Sequence, residues 1–279
     1  MEWSKTKTIF IIAFLILDLY LAVVFFKTRS DSEFTLTQEV PIERKLELSG
    51  ITIGDLPKDK ETGYYISAKS KDFSLTDINS LLIKGQEQNL QPSLGMKAGY
   101  TTLSMSLEKP YPIPDVNVKS KVTQFLKENV LYGEMYEYWY LDKEENAIIC
   151  IQKYKNNKIF QANENHIAMV KLEMNDKNEI YSYEQSMLED IKEVQEKEVT
   201  VSASEAIEAL YNKNLLGTGS KLVRTEYGYY TNIPLTNQQI LAPTWHIMVE
   251  TAEGEREDYY VNALEAEILQ SPDNEVKEE

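Results

Sequence analysis

The first hydrophobic feature of the chain is an apolar run from Ile9 to Phe26, in which Asp18 is the only charged residue. An α-helix of this length spans about 27 Å, close to the bilayer hydrocarbon core of about 30 Å. A cleaved secretory signal is the main alternative, but its apolar core usually has about 7–15 residues, and no small-x-small cleavage site precedes Lys27. The run therefore predicts an uncleaved transmembrane helix over residues 9–26.

The segments around this helix are polar. Residues 1–8 are predicted to form a short cytoplasmic tail, and residues 27–40 a tether that leads to a soluble domain. Two basic residues precede the helix and two follow it, so the positive-inside count is tied and leaves the orientation open. Only the N-terminal amine favours the tail on the cytoplasmic side.

Beyond Pro41, apolar residues at helical spacing predict three amphipathic helices. They cover Leu75–Lys84, Val118–Leu131 and Ala203–Leu215. The third is preceded by Ser202 and has Glu205 three residues later, the pattern of a capping box.

Strand-like runs of alternating or β-branched residues occur in pairs around charged turns, which predicts antiparallel hairpins. The pairs are 136–141 with 147–154, 166–174 with 180–184, and 245–251 with 258–262. A proline-rich stretch, Pro110–Pro114, is predicted to be a rigid extended joint.

A helix followed by hairpins occurs twice, and this repetition predicts an α+β ectodomain of two modules. The first module is expected over residues 41–192 and the second over 193–272, each with its helix packed on an antiparallel sheet. The charged stretch Glu189–Glu198 is expected to mark the border, and 273–279 to be an acidic tail.

Charge narrows the range of partners. The formal net charge is −16, and 25 basic against 43 acidic residues remain once the first 29 residues are set aside. Such a field repels phosphate backbones, so nucleic acid is not expected as a partner. A domain face lying flat on anionic lipid is disfavoured for the same reason.

Candidate catalytic residues are few. Cys150 is the only cysteine and lies among isoleucines, which favours a buried structural residue over a nucleophile. The only histidines, His166 and His246, are far apart in strand-like runs, and structural roles are expected for both. The glycines in Gly217–Ser220 lack the lysine and spacing of a phosphate loop and indicate a helix stop.

The acidic cluster Glu253, Glu255, Glu257 and Asp258 carries the ligand type of Ca²⁺ but not the register of a calcium loop. Charged hairpin tips are common because they favour solubility. We therefore predict no metal, no cofactor and no enzymatic activity.

Asp18 stands near the middle of the predicted span. An ionised aspartate there costs about 2.5–3.5 kcal/mol on insertion scales. A contact with another transmembrane helix would offset that cost. The alternative is a polar residue that a very apolar anchor tolerates.

Two parts of the sequence resemble a known family. The first nineteen residues, MEWSKTKTIFIIAFLILDL, resemble the start of the YycI (WalI) family, accessory membrane proteins of the YycFG/WalRK cell-wall two-component system in low-GC Gram-positive bacteria. The segments Ala242–Trp245 and Tyr259–Ala263 look like the closing strands of the same family's ectodomain, and their pattern is also similar to PepSY domains.

The resemblance implies a single-pass protein of the cell membrane with a cytoplasmic N-terminus and an extracytoplasmic domain. It implies a complex with the sister protein YycH and the sensor histidine kinase YycG (WalK), which the protein is expected to restrain through transmembrane-helix contacts. The contact candidates are Asp18, Trp3, Leu15 and Tyr20. A homodimer stays open.

Two alternatives remain. One is an extracytoplasmic PepSY-like module that binds or inhibits a secreted enzyme or peptide. The other is a cell-wall hydrolase or peptidase, which would require a cleft with converging acids or a metal.

Overall fold

The structure is a computed structural model of the chain. It describes residues 41–54, 56–57, 62–73, 75–82, 85–88, 101–160, 167–194, 196–231 and 238–270, together with nine single positions between 3 and 21. The chain divides into two compact units, Met1–Lys45 and Leu46–Glu279.

Four α-helices lie in the described part from residue 41 onwards: α1 (Ile42–Leu48), α2 (Leu75–Leu82), α3 (Val118–Asn129) and α4 (Ala203–Asn212). The three predicted helices are thus confirmed. Helix α3 ends two residues and α4 three residues earlier than expected, whereas residues 83 and 84, expected at the end of α2, lie outside the described residues. Helix α3 ends because the next residue, Val130, already has extended backbone angles.

The capping box at the start of α4 is confirmed. The Ser202 hydroxyl accepts a hydrogen bond from the backbone N–H of Glu205 at 3.3 Å, and the Glu205 carboxylate accepts from the backbone N–H of Ser202 at 2.6 Å. Two donors at the helix start are therefore paired, which fixes where the helix begins.

Most of the remaining described chain is strand. The strands are β1 (Thr52–Ile53), β2 (Thr62–Gly63), β3 (Ile66–Ser70), β4 (Gln86–Gln88), β5 (Thr102–Pro112), β6 (Tyr136–Asp142), β7 (Ala147–Tyr154), β8 (Asn157–Ile159), β9 (Met169–Met174), β10 (Glu179–Ser186), β11 (Leu188–Glu193), β12 (Glu198–Val199), β13 (Lys221–Tyr230), β14 (Gln238–Glu250), β15 (Arg256–Asn262) and β16 (Ile268–Gln270). The fold is mixed α+β, mostly sheet with few helices.

Fourteen of these strands join in one branched sheet, within the described residues. Its main order is β11-β3-β14-β13-β8-β7-β9-β10-β5-β4, with β1 on β13, β6 on β7, and β15 with β16 beside β14. Strands β2 and β12 form a separate two-stranded ladder.

The three predicted hairpins are confirmed as the antiparallel pairs β6–β7, β9–β10 and β14–β15. Their boundaries differ, since β9 begins at Met169 and β14 already begins at Gln238. The proline-rich stretch differs as well: Pro110 and Pro112 lie in β5, whose end pairs with β10.

The charged stretch Glu189–Glu198, expected to mark a border, overlaps strand β11, which pairs antiparallel with β3. An edge strand can carry many charges because one of its faces and its free edge meet solvent. Strand β3 also pairs with β14, so residues from both sides of the predicted border at 192 are neighbours in the sheet. The module boundaries themselves stay predictions.

Helix α3 buries one side of this sheet. Val122, Phe125 and Leu126 are fully buried and pack with residues of β5, β7, β9 and β10. Helix α4 buries Ala203, Ala206, Ile207 and Leu210. Near its start, Trp245 of β14 donates a hydrogen bond through Nε1 to the carbonyl of Val201 at 2.8 Å.

Candidate functional site

The four predicted transmembrane contact residues lie in the first unit of the chain. Trp3, Leu15, Asp18 and Tyr20 are each helical and exposed. In an ideal unbroken α-helix, with about 100° per residue, the first three would fall within an arc of about 120°, and Tyr20 would lie about 160° from Asp18. A single neighbouring helix could therefore meet Trp3, Leu15 and Asp18 together, but not Tyr20.

No helix among the described residues is long and apolar enough to cross a membrane.

The second unit carries the residues considered for catalysis. Cys150 is completely buried in β7, and burial raises the pKa of its thiol, so the thiolate that a nucleophile needs is disfavoured. His166 lies outside the described residues. His246 is completely buried in β14.

His246 begins a series of hydrogen-bonded side chains across the β14–β15 hairpin. Its Nε2 lies 2.6 Å from Oδ1 of Asp258, so Nε2 carries the hydrogen and donates to the carboxylate. Arg256 donates to the same carboxylate through Nε at 2.7 Å and through a terminal nitrogen at 2.9 Å. The carboxylate of Asp258 is therefore held by three N–H donors from two side chains.

These contacts decide the charge state of Asp258. Burial alone would raise the pKa of its carboxyl, but the hydrogen bonds and charges of His246 and Arg256 outweigh burial and lower it. Asp258 belongs to the acidic cluster considered for calcium, and its oxygens instead face these two side chains. The ionised group is part of the structure of the hairpin.

Aromatic rings enclose His246 on the sheet face. Phe160 and Tyr260 have ring centroids 4.9 and 5.0 Å from its imidazole, and Trp139 of β6 lies at 5.9 Å. Tyr230 stacks on Tyr260 at 4.2 Å. The rings come from β6, β13, β15 and the residue after β8, so the cluster joins strands that the sheet order separates.

The surroundings of His246 are those of a buried structural side chain. His246 is completely buried, and its Nε2 is hydrogen-bonded to Asp258. Its Nδ1 and the Nε1 of Trp139 have no hydrogen-bond partner among the described residues. A hydrolytic dyad would need a nucleophile at that nitrogen, whereas the neighbours of His246 are rings. The arrangement holds β6 against β14 and β15.

The acidic hairpin tip borders a cavity of about 330 Å³ that Glu253 and Glu257 line together with residues after α4. The hydroxyl of Tyr259 lies 2.8 Å from both the Glu257 carboxylate and the Leu215 carbonyl. Within the described ranges, no three acidic, histidine or cysteine side chains come together as metal ligands.

Strand β13 is among the elements that the sequence analysis did not predict. Its partly buried residues Glu226 and Tyr227 line a cavity together with Lys158, whose ammonium is 2.6 Å from the Glu226 carboxylate. The aromatic run Tyr227–Tyr230 was the available signal, because aromatic residues are enriched in strands.

The solved structures that match this chain share little sequence identity with it. An uncharacterized protein from Eubacterium rectale matches at 11% identity with a TM-score of 0.47, covering 79% of this chain and 89% of its own. The C-terminal domain of Bacillus megaterium YpeB matches at 12% identity with a TM-score of 0.44, covering 72% of this chain and 97% of its own. Curated proteins provide no significant match.

The sequence matches the YycI protein family over residues 30–264, a range that takes in nearly all of the described second unit. That match begins after the apolar N-terminal run, so it is independent of the N-terminal resemblance. The chain belongs to the YycI family, a regulatory family of the YycFG two-component system.

Proposed function

We propose that this protein is a non-catalytic, membrane-anchored regulator that restrains the YycG (WalK) sensor kinase together with a YycH-like sister protein. The N-terminal helix lies in the cell membrane with its tail in the cytoplasm, and the second unit is extracytoplasmic. Membership of the YycI family is the observation that carries this proposal.

The chemistry of the N-terminal run supports contacts within the membrane. Asp18 interrupts an otherwise apolar span, and Leu15 stands one helical turn before it. A carboxyl group in hydrocarbon gains most from a polar partner on another helix. Leu15 would then supply apolar packing on the same side of the helix within the membrane, and Trp3 would contact the partner just outside it.

A regulator alters a kinase only if it binds the kinase's two signalling states with different free energy. A coupling of about 1–3 kcal/mol changes the balance of states roughly 5- to 150-fold. Such a difference can arise from one buried polar contact and its surrounding packing, without a catalytic group.

A helix exchange tests the proposal. Residues 9–26 are replaced by an unrelated transmembrane segment of equal length, and the second unit is left intact. We expect co-purification with the kinase to fall at least fivefold. Expression of the genes that the kinase controls should no longer be restrained by this protein. A chimera that still co-purifies with the kinase and still restrains expression of the regulon would show that the N-terminal helix is only an anchor.

A further inference from the structure

The chain enters its second unit through a short strap, residues 46–53, which comprises the end of α1, a turn and strand β1. Leu46 and Ile51 are buried, whereas Leu48 between them is 72% exposed. Gly50 in the turn has a φ of +74°, a conformation that favours glycine. Because the strap is the covalent link between the two units, a displacement of the N-terminal unit reaches the second unit through it.

Hydrogen bonds attach the strap to the stretch 211–220, which runs from the last turn of α4 towards β13. They join Ser49 Oγ to the hydroxyl of Tyr211 at 3.0 Å, the carbonyl of Gly50 to the N–H of Gly219 at 3.2 Å, and the N–H of Thr52 to the carbonyl of Ser220 at 3.0 Å. These contacts converge on one short part of the chain, so a change in that part acts on the whole strap.

The strand part of the strap is weakly paired. Thr52 and Ile53 form a parallel ladder with the first two residues of β13, whereas β13 pairs with β14 from Lys221 to Tyr230. Segments with few buried apolar contacts and exposed hydrogen bonds open at lower free energy than core strands. The strap therefore has the character of a segment that opens before the sheet does.

Opening of the strap would lengthen the connection to the N-terminal unit by a limited amount. Gly54 lies against the carbonyl of Leu222, where a Cβ atom would be 3.4 Å from that oxygen, so the chain is held again directly after the strap. The eight residues of the strap span at most about 28 Å when extended. Docking and release thus define a short and a long connection.

We propose that residues 46–53 are a releasable strap that regulates the N-terminal helix. While the strap is docked, the connection between the helix and the second unit is short and the kinase is restrained; when the strap opens, the connection lengthens and restraint is lost. A partner that binds the stretch 211–220 in only one of these states shifts the balance between them. The inference rests on the proposed function, because it assumes that the N-terminal helix acts on the kinase.

A disulfide between Thr52→Cys and Lys221→Cys locks the strap for the test. The two residues are direct partners in the ladder, and both are exposed. Neighbouring strands lie about 4.7–4.9 Å apart, within the Cα separation of about 4.4–6.8 Å that a disulfide accepts. Cys150, the only native cysteine, is completely buried, so oxidant and reductant act on the engineered pair.

Hydrogen exchange on the purified full chain in detergent micelles shows whether the strap opens. In the reduced double variant, as in the wild type, we expect the amides of residues 46–53 to exchange at least tenfold faster than those of β14. Oxidation should slow exchange in the strap at least tenfold and leave β14 unchanged.

Ile51→Ala favours the open strap because it removes a buried side chain. In proteoliposomes that contain the kinase, we expect this variant to restrain autophosphorylation at least threefold less than the wild type. Ile51→Ala combined with the oxidised lock should regain restraint, and reductant should abolish it again. Ile180→Ala, at a fully buried position of β10, is the matched control and should keep restraint.

Strap amides that exchange as slowly as those of β14, or that the lock leaves unchanged, would show that the strap does not open. Full restraint by Ile51→Ala, where the exchange of residues 9–26 abolishes restraint, would overturn the role of the strap and leave the proposed function standing. Full restraint by the chimera with the exchanged helix would instead overturn the proposed function, and the regulatory role of the strap with it.

Discussion

The side-chain amide of Gln152 in β7 pairs with the backbone of Leu188 in β11 much as a strand residue would. Its Nε2 donates to the Leu188 carbonyl at 2.8 Å, and its Oε1 accepts from the Leu188 N–H at 2.8 Å. Both residues are buried, and β11 pairs with β3 and not with β7 among the described strands. Gln152 therefore bonds two strands that the sheet does not place side by side.

Replacing this residue tests that link. Gln152→Leu keeps the volume but leaves the N–H and C=O of Leu188 buried without partners, which costs about 1–3 kcal/mol for each group. We expect the free energy of unfolding to fall by about 3 kcal/mol, measured by denaturant titration. Gln124→Leu on the exposed face of α3 is the matched control and should stay within about 0.5 kcal/mol.

The Asp258 carboxylate should make the free energy of unfolding depend on pH in the acid range. Its pKa is lowered in the folded protein, so its contribution is complete above the unfolded value near 3.8 and is lost as the pH falls through the lower folded value. Asp258→Asn should cost about 2 kcal/mol at pH 7, because His246 and Arg256 lose an ionised acceptor. The melting temperature of the variant should also change less with pH in the acid range than that of the wild type.

Asp176→Asn, in an exposed turn, is the control for that experiment. If both variants showed the wild-type acid profile, the His246–Asp258–Arg256 chain would not be a source of stability.

Gly228 is required where β8 meets β13. A Cβ atom there would lie 2.3 Å from the Lys158 carbonyl oxygen and 2.6 Å from a ring carbon of Phe160. A backbone oxygen cannot move aside cheaply, so Gly228→Ala should destabilise the protein by about 2–3 kcal/mol in chemical denaturation. Gly217→Ala meets no atom within 4 Å and should be nearly neutral.

Substitution of Asp18 separates a polar contact from a general need for an apolar anchor. Asp18→Leu should reduce co-purification with the kinase at least fivefold, because the hydrogen-bonding group is gone. Asp18→Asn retains hydrogen bonding and should keep most of the association. Tyr20→Leu, on the opposite side of the helix, should have little effect. Equal association of Asp18→Leu and wild type would remove Asp18 from the interface.

Local elements could be predicted from the sequence because their signals are local. The apolar spacing within Val118–Asn129 and the capping pair Ser202–Glu205 depend on residues one or two turns apart. The order of the strands could not be predicted in the same way. Nothing near Ile66–Ser70 indicates that it pairs with residues 238–241, because a strand's partner is set by packing over long separations.

The site residues show the same difference between local features, which the sequence predicts, and long-range contacts, which it does not. Burial of Cys150 could be predicted from its isoleucine neighbours, which are adjacent in sequence. The partners of His246 could not, because Trp139 and Phe160 approach it only when β6 and β8 are in place.

The position of β3 has a consequence for the order of assembly during synthesis. This early strand bonds on both sides to late ones, β11 and β14, so it leaves the ribosome long before either neighbour exists. Pairings across such separations form slowly because the chain must first close a long loop. A polypeptide that stalls or is cleaved before Gln238 would present a bare β3 edge, and aggregation with other nascent copies is the expected outcome.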